Sequence, residues 1–183
     1  EYIDVLARQS ARLKKLIEDL IEASKASTGN LAVHPERCEL GVMLAQTAGE
    51  YEEKLEKAGL ELVINKCEDA VCIMADRQHL WRIFDNLMNN ICKYSQSGTR
   101  IYLGLEKTNG KAVVTFKNIS RVPLNISADE LMERFVRGDS SRSTEGSGLG
   151  LSIARSLTEL QNGTLSLSVD GDLFKATLTF KTI

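Results

Sequence analysis

Asn86 and Asn90 stand one helical turn apart in the run ADRQHLWRIFDNLMNNICKYS (residues 75–95), with Lys93 and Tyr94 just beyond them. Amide oxygens at that spacing suit a hard cation such as Mg²⁺, and a lysine offers a compact point charge to phosphate. His79 and Arg82 fall on the same side, so amides, positive charge and one aromatic ring share a face. Leu80, Phe84, Leu87 and Ile91 make an apolar stripe on the other side, at about 100° per residue, which must meet a core. Taken alone, the pattern fits a ligand-facing helix and an ordinary solvated helix face equally well.

A second group of residues points to phosphate. Gly146, Gly148 and Gly150 alternate directly before Leu151, Ile153, Leu157 and Leu160, the apolar positions of a further helix. Backbone N–H groups at a helix start attract anions, and glycines let phosphate oxygens approach the main chain. Leu151 stands where a dinucleotide-binding fingerprint needs its third glycine, and no Gly-Lys-Ser/Thr run is present, so neither common phosphate loop is matched. Arg134, Arg137 and Arg142 flank the same segment and either supply charge to a triphosphate or stay solvated. The bland alternative is a flexible surface turn that leads into a helix.

The elements that must position these residues can be read in order. Tyr2 to Ser27 is predicted as a long helix with Ile3, Ser10, Ile17 and Ser24 at one heptad position and Leu6, Leu13, Leu20 and Ser27 at the other, a seam for partner helices. Gly29 and Asn30 stop it, and residues 29–38, with Pro35, read as a linker. Glu39 to Ala58 is a second amphipathic helix closed by Gly59. Strands are expected from Leu60 to Ile64 and from Val71 to Met74 around a turn at Lys66 to Ala70, and Asp76 then caps the Asn-bearing helix. Thr99 to Lys107 and Lys111 to Lys117 flank Asn109-Gly110, a hairpin signal, and a loop follows Asn118. Ser127 and Glu130 form a capping box for a short helix to Phe135. Val136 to Gly148 is a polar segment that could close over a ligand, Leu149 to Gln161 is helix, and Thr164 to Val169 with Leu173 to Phe180 form a last hairpin. The expected fold is α+β: a two-layer sandwich of a mixed, mostly antiparallel sheet with helices on one face.

With 183 residues, 43% hydrophobic content and a net charge of −2, the chain can bury one sizeable domain plus an appendage, and it carries no nucleic-acid footprint. It has no apolar run long enough to span a bilayer, so no membrane contact is expected of this piece. Cys38, Cys67, Cys72 and Cys92 lack the pairing of a zinc site or a disulfide framework, which points to a reducing, cytoplasmic setting. The chain opens at Glu1 inside a helical pattern and reads as a piece of a longer protein.

Together these segments resemble the ATP-binding catalytic domain of sensor histidine kinases, the Bergerat-type fold shared with gyrase, Hsp90 chaperones and MutL. DNLMNNICKYS is similar to the family's N box, and LMERFVRGDSSRSTEGSGLGLSIA to its F and G2 boxes. The resemblance implies ATP and Mg²⁺ as ligands, with Asn86 and Asn90 at the Mg²⁺-triphosphate and Asn90 as metal ligand. It implies Lys93 on phosphate, Tyr94 lining the nucleotide pocket, Arg137 neutralising charge, and Gly146, Ser147, Gly148, Leu149 and Gly150 holding lid and phosphates. Residues 1–28 resemble the second helix of the dimerisation and phosphotransfer hairpin, and residues 39–183 the catalytic domain. A homodimer through the first helix and a response regulator are the implied partners, with a membrane-anchored parent protein compatible.

Two departures stand out. Asn118 occupies the place of the aspartate that accepts from the adenine amino group, and no glycines follow it in KNISRVPL. No histidine sits in the phosphoacceptor motif: His34 precedes Pro35, and His79 lies on the Asn-bearing helix. The first departure leaves open a second reading, a non-catalytic nucleotide-binding or dimerisation regulator with a degenerate adenine site.

Overall fold

The computed structural model describes residues 2–124, 127, 130–131 and 148–183. Helix α1 (Tyr2–Ser27) has the expected span. Leu6, Leu13, Ile17 and Leu20 stay exposed along it, so the apolar seam has no cover among the described residues. Its inner side is short: Asp19 and Ala26 are buried, and Ala23 packs on the core. Gly29, at φ 69°, makes the left-handed turn that ends it.

Residues 36–39 depart from expectation. Residues 36–38, placed in the linker by sequence, and Glu39, placed at the start of the next helix, form strand β1 (Glu36–Glu39), which pairs antiparallel with β3 (Cys72–Ala75) in a sheet of its own. The run ERCE carries no alternation of apolar residues, because only Cys38 turns inward. Glu39 ends the strand and caps α2 (Leu40–Lys57), its carboxylate accepting from the N–H groups of Gly41 and Val42 at 2.9 and 2.7 Å.

β2 (Glu61–Lys66) and β3 do not form the expected hairpin. β2 lies parallel to β4 (Arg100–Thr108), with Glu61 opposite Arg100, while β3 is taken by β1. A parallel neighbour requires a long crossover, and α3 (Arg77–Tyr94) lies within that connection. The remaining pairings are antiparallel: β4 with β5 (Lys111–Ile119), β5 with β7 (Leu173–Lys181), and β7 with β6 (Thr164–Asp170), giving the order β2-β4-β5-β7-β6. Asn109 and Gly110, both at positive φ (51° and 72°), supply the tight β4–β5 turn anticipated from their types. The last described helix is α4 (Gly150–Leu160).

The two-layer α+β sandwich follows from the alternation. Ile101, Leu103 and Leu105 of β4, Ala112, Val114 and Phe116 of β5, and Ala176, Leu178 and Phe180 of β7 face one way, onto the helices. α3 answers with Leu80, Ile83, Phe84, Leu87, Met88 and Ile91, all buried. Each such side chain contributes about 1.5–3 kcal/mol on burial. Phe84 and Phe116 meet as a tilted ring pair, centroids 5.5 Å apart, which fixes α3 against the middle of the sheet.

Among the described residues, no helix is long and apolar enough to cross a membrane. The four cysteines are free thiols. Ser127 and Glu130 form their reciprocal cap: the Glu130 N–H donates to Ser127 Oγ at 3.1 Å, and the Ser127 N–H to Glu130 Oε2 at 2.9 Å.

Candidate functional site

Asp76 starts the helix that carries the candidate amides. Its carboxylate accepts from the N–H groups of Gln78, His79 and His34, and its own N–H donates to Gln161 Oε1 at 2.7 Å. Burial pushes the Asp76 carboxyl up, but the N–H donors of His34 and His79, the nearby His79 ring and the Gln78 N–H outweigh it. The net shift is below the ordinary aspartate value. The helix is thus anchored at its N-terminus both to the strand before it and to the end of α4.

From that anchor, helical spacing turns Asn86 and Asn90 to one side. Asn86 is 8% exposed, and its Nδ2 has no hydrogen-bond partner among the described residues; neither has Asn90 Nδ2. The start of α4 comes up against Asn86: a Cβ built on Gly150 would stand 3.3 Å from Asn86 Oδ1. Gly148 adopts φ 72°, open to glycine at no steric cost, and Leu149 gives α4 no side-chain cap hydrogen bond. The start of α4 therefore abuts a helix face whose Asn86 and Asn90 Nδ2 atoms have no partner among the described residues.

The C-terminal end of α3 carries the remaining candidates. Lys93 Nζ lies 4.9 Å from the Tyr94 ring centroid. Ser95 bridges to Ser120, the Gln96 N–H donates to the Ile119 carbonyl at 2.8 Å, and the Arg121 N–H donates to the Tyr94 carbonyl at 2.8 Å. These bonds seat the end of β5, and so Asn118, beside the end of α3. Asn118 is 4% exposed and Ser95 2% exposed, and among the described residues neither Asn118 Oδ1 nor Ser95 Oγ has a partner. Leaving a buried polar atom without a hydrogen bond costs about 1–3 kcal/mol, so four on one seam call for a polar occupant.

Two residues expected on this face turn elsewhere. His79 Nε2 lies 2.9 Å from the Ala32 carbonyl. Arg82 reaches α1, with Nη2 2.6 Å from Asp19 Oδ1 and Nε 3.0 Å from Glu22 Oε2. Burial opposes the Arg82 charge, but Glu22 and Asp19 more than offset it and hold the guanidinium above its ordinary range. Tertiary partners on α1 thus claim a side chain whose helical position alone pointed it at a ligand. Ser95 is a site residue the pattern did not single out, although its burial beside Asn118 could have been suspected from its place at the end of KYS. Arg134, Arg137, Arg142, Gly146 and Ser147, with most of the short helix and polar segment before Gly148, lie outside the described residues.

Comparison with known proteins identifies the family. Residues 75–182 match the family described as histidine kinase-, DNA gyrase B-, and HSP90-like ATPase. The chain is 29% identical over 165 residues to the signal transduction histidine-protein kinase BaeS of Escherichia coli K12, covering 89% of this chain and 35% of BaeS. It is 30% identical over 178 residues to the histidine protein kinase SaeS of Staphylococcus aureus, covering 94% of this chain and 50% of SaeS. It thus spans a third to a half of the curated relatives it matches. Among solved structures, histidine kinase ThkA in complex with response regulator protein TrrA has the same fold, with a TM-score of 0.77 at 18% identity, covering all of this chain and 51% of that one. The matched region takes in α3, the sheet from β4 onward and α4, the elements that enclose the unpartnered amides, and on that ground the chain belongs to the histidine kinase-, DNA gyrase B-, and HSP90-like ATPase family.

Proposed function

We propose that this chain is the ATP-binding catalytic portion of a sensor histidine kinase, and that it takes ATP with Mg²⁺ in the crevice between α3, the end of β5 and the start of α4. The observation that carries the reading is the set of buried amide atoms on Asn86, Asn90 and Asn118 that have no partner among the described residues, with Asn86 set against the start of α4. In this reading the Asn86 and Asn90 amides and the α4 N–H groups bind the triphosphate. Lys93 offsets its charge, Tyr94 lines the pocket and Asn118 meets the base. Gly146, Ser147, Gly148, Leu149 and Gly150 let the main chain approach the phosphates, and Arg137 adds charge from the segment before them.

The donor set also fits Mg²⁺. Among the described residues no group of three His, Cys, Asp or Glu could hold a metal ion, so a cation here would rest on the Asn90 amide oxygen and on phosphate oxygens, as a hard ion does. Bound Mg²⁺ would neutralise charge on the transferring phosphoryl group. The chain's own residues position the nucleotide and exclude water.

The acceptor of the γ-phosphoryl group is proposed to be a histidine outside this chain, with onward transfer to an aspartate of a response regulator, in a cytoplasmic setting. Of the two histidines present, His79 has its ring against the Ala32 carbonyl, and His34 lies before β1 with its main-chain N–H donating to Asp76. Residues 1–28 are proposed as the second helix of a dimerisation hairpin, since the exposed Leu6, Leu13, Ile17 and Leu20 require cover.

Calorimetric titration of the chain with ATP and Mg²⁺ tests the site. Binding that Asn86→Ala and Asn90→Ala each weaken by about tenfold, a loss of ~1.4 kcal/mol, is the expected result. An absence of heat at millimolar nucleotide would overturn it and favour a non-catalytic regulator.

A further inference from the structure

At the end of α3 away from Gly150 lie two neutral groups that the phosphate chemistry does not use. Ser95 and Ser120 are bridge partners, so their side chains share a side, and Asn118 lies two residues before Ser120 on the same buried face. Ser95 and Asn118 are therefore diagonal neighbours, about 7–8 Å apart. Each ends in a buried polar atom with no partner among the described residues, Oγ in one and Oδ1 in the other. Along α3, Asn86 and Ser95 are separated by about 13 Å of helical rise. With phosphates at the Asn86–Gly150 end, a nucleoside triphosphate places its base at the Ser95–Asn118 end.

We propose that Asn118 and Ser95 read the six-position edge of a purine as a reversible neutral pair, so that the crevice accepts 6-amino and 6-oxo purine nucleoside triphosphates alike. This rests on the nucleotide reading above. An amide carries an acceptor and donors, and a hydroxyl can act in either sense. Against a 6-amino purine, Asn118 Oδ1 accepts from the amino group while the Ser95 hydroxyl donates to N1. Against a 6-oxo purine, the amide turns over so that Nδ2 donates to O6, and Ser95 Oγ accepts from N1–H. Oδ1 has no partner to surrender in that turn. A carboxylate at position 118 could only accept and would oppose a 6-oxo group, which is how a buried polar site rejects the wrong partner.

The test measures dissociation constants for ATP and GTP, each with Mg²⁺, on the wild-type chain, Asn118→Asp and Ser95→Ala. The expected result is that wild type binds the two within about tenfold of each other, that N118D shifts the ratio toward ATP by about tenfold or more, and that S95A weakens both together. A wild-type preference for ATP beyond tenfold, or an unchanged ratio in N118D, overturns the inference while leaving the ATP site standing. Binding of neither nucleotide overturns both. Should N118D fail to fold, the wild-type ratio and S95A decide the matter.

Discussion

Gly150 at the start of α4 sits against Asn86 of α3, close enough that a Cβ in its place would lie 3.3 Å from Asn86 Oδ1. Alanine there gains about 0.5–1 kcal/mol in helix propensity but forces the amide to shift by a few tenths of an ångström. Gly150→Ala is therefore expected to melt within a few degrees of wild type while binding ATP about tenfold more weakly. Paired melting curves and nucleotide titrations check this, and equal loss in both would mean that the glycine serves only packing.

Asp76 should make stability acid-sensitive. Its folded pKa lies below its unfolded value of about 3.9, so the native state binds fewer protons through that window. The contribution is complete above the unfolded value and disappears as pH falls through the folded one. Asp76→Asn, which keeps a cap, is expected to lower stability at pH 7 and to flatten the acid limb of the stability profile. Urea unfolding from pH 2 to pH 7 measures both.

Arg82 neutralises an aspartate that is only 5% exposed. Removing one partner of a buried charge-assisted pair takes away its hydrogen bond and part of the compensation of the other charge, so Arg82→Met is expected to destabilise by about 1.5–3 kcal/mol. The double variant with Asp19→Leu should recover much of that loss. A double-mutant cycle in denaturant is the measurement, and simple additivity would contradict it.

Gly163 has the Phe180 ring where its Cβ would be, with Cε1 at 2.5 Å and Thr158 Cγ2 at 3.0 Å. An aromatic ring buried between sheet and helix cannot give way as a flexible side chain would, and Gly163→Ala should cost about 1–3 kcal/mol by overpacking. Thermal unfolding reads it directly. Gly110, which has nothing within 4 Å but sits at φ 72°, would lose stability through backbone strain instead.

The parts of this structure legible from residue order are those whose signal is local. Leu80, Phe84, Leu87 and Ile91 repeat at the helical period, Asn109-Gly110 carries its own turn, and Ser127 meets Glu130 three residues on. The amides at positions 86 and 90 inherit their direction from that helix, so their convergence with Gly150 was within reach. What stayed hidden is set by distant partners. β2 runs beside β4 because α3 intervenes, and no residue within Glu61–Lys66 records that choice. β1 exists only because Cys72–Ala75 lies opposite it. Arg82 shares the helical face of Asn86, yet Asp19 and Glu22, some sixty positions earlier, draw it away.

Asp85, immediately before Asn86, accepts the Tyr51 hydroxyl from α2 on one carboxylate oxygen and lies 3.6 Å from Arg82 on the other. A roll of α3 about its own axis must therefore break contacts with α1 and α2 together, as a gear tooth meshed on both sides cannot slip past only one. The rotational setting of the Asn86 and Asn90 amides is consequently shared among three helices, and turning α1 strains the Arg82 bonds that hold it.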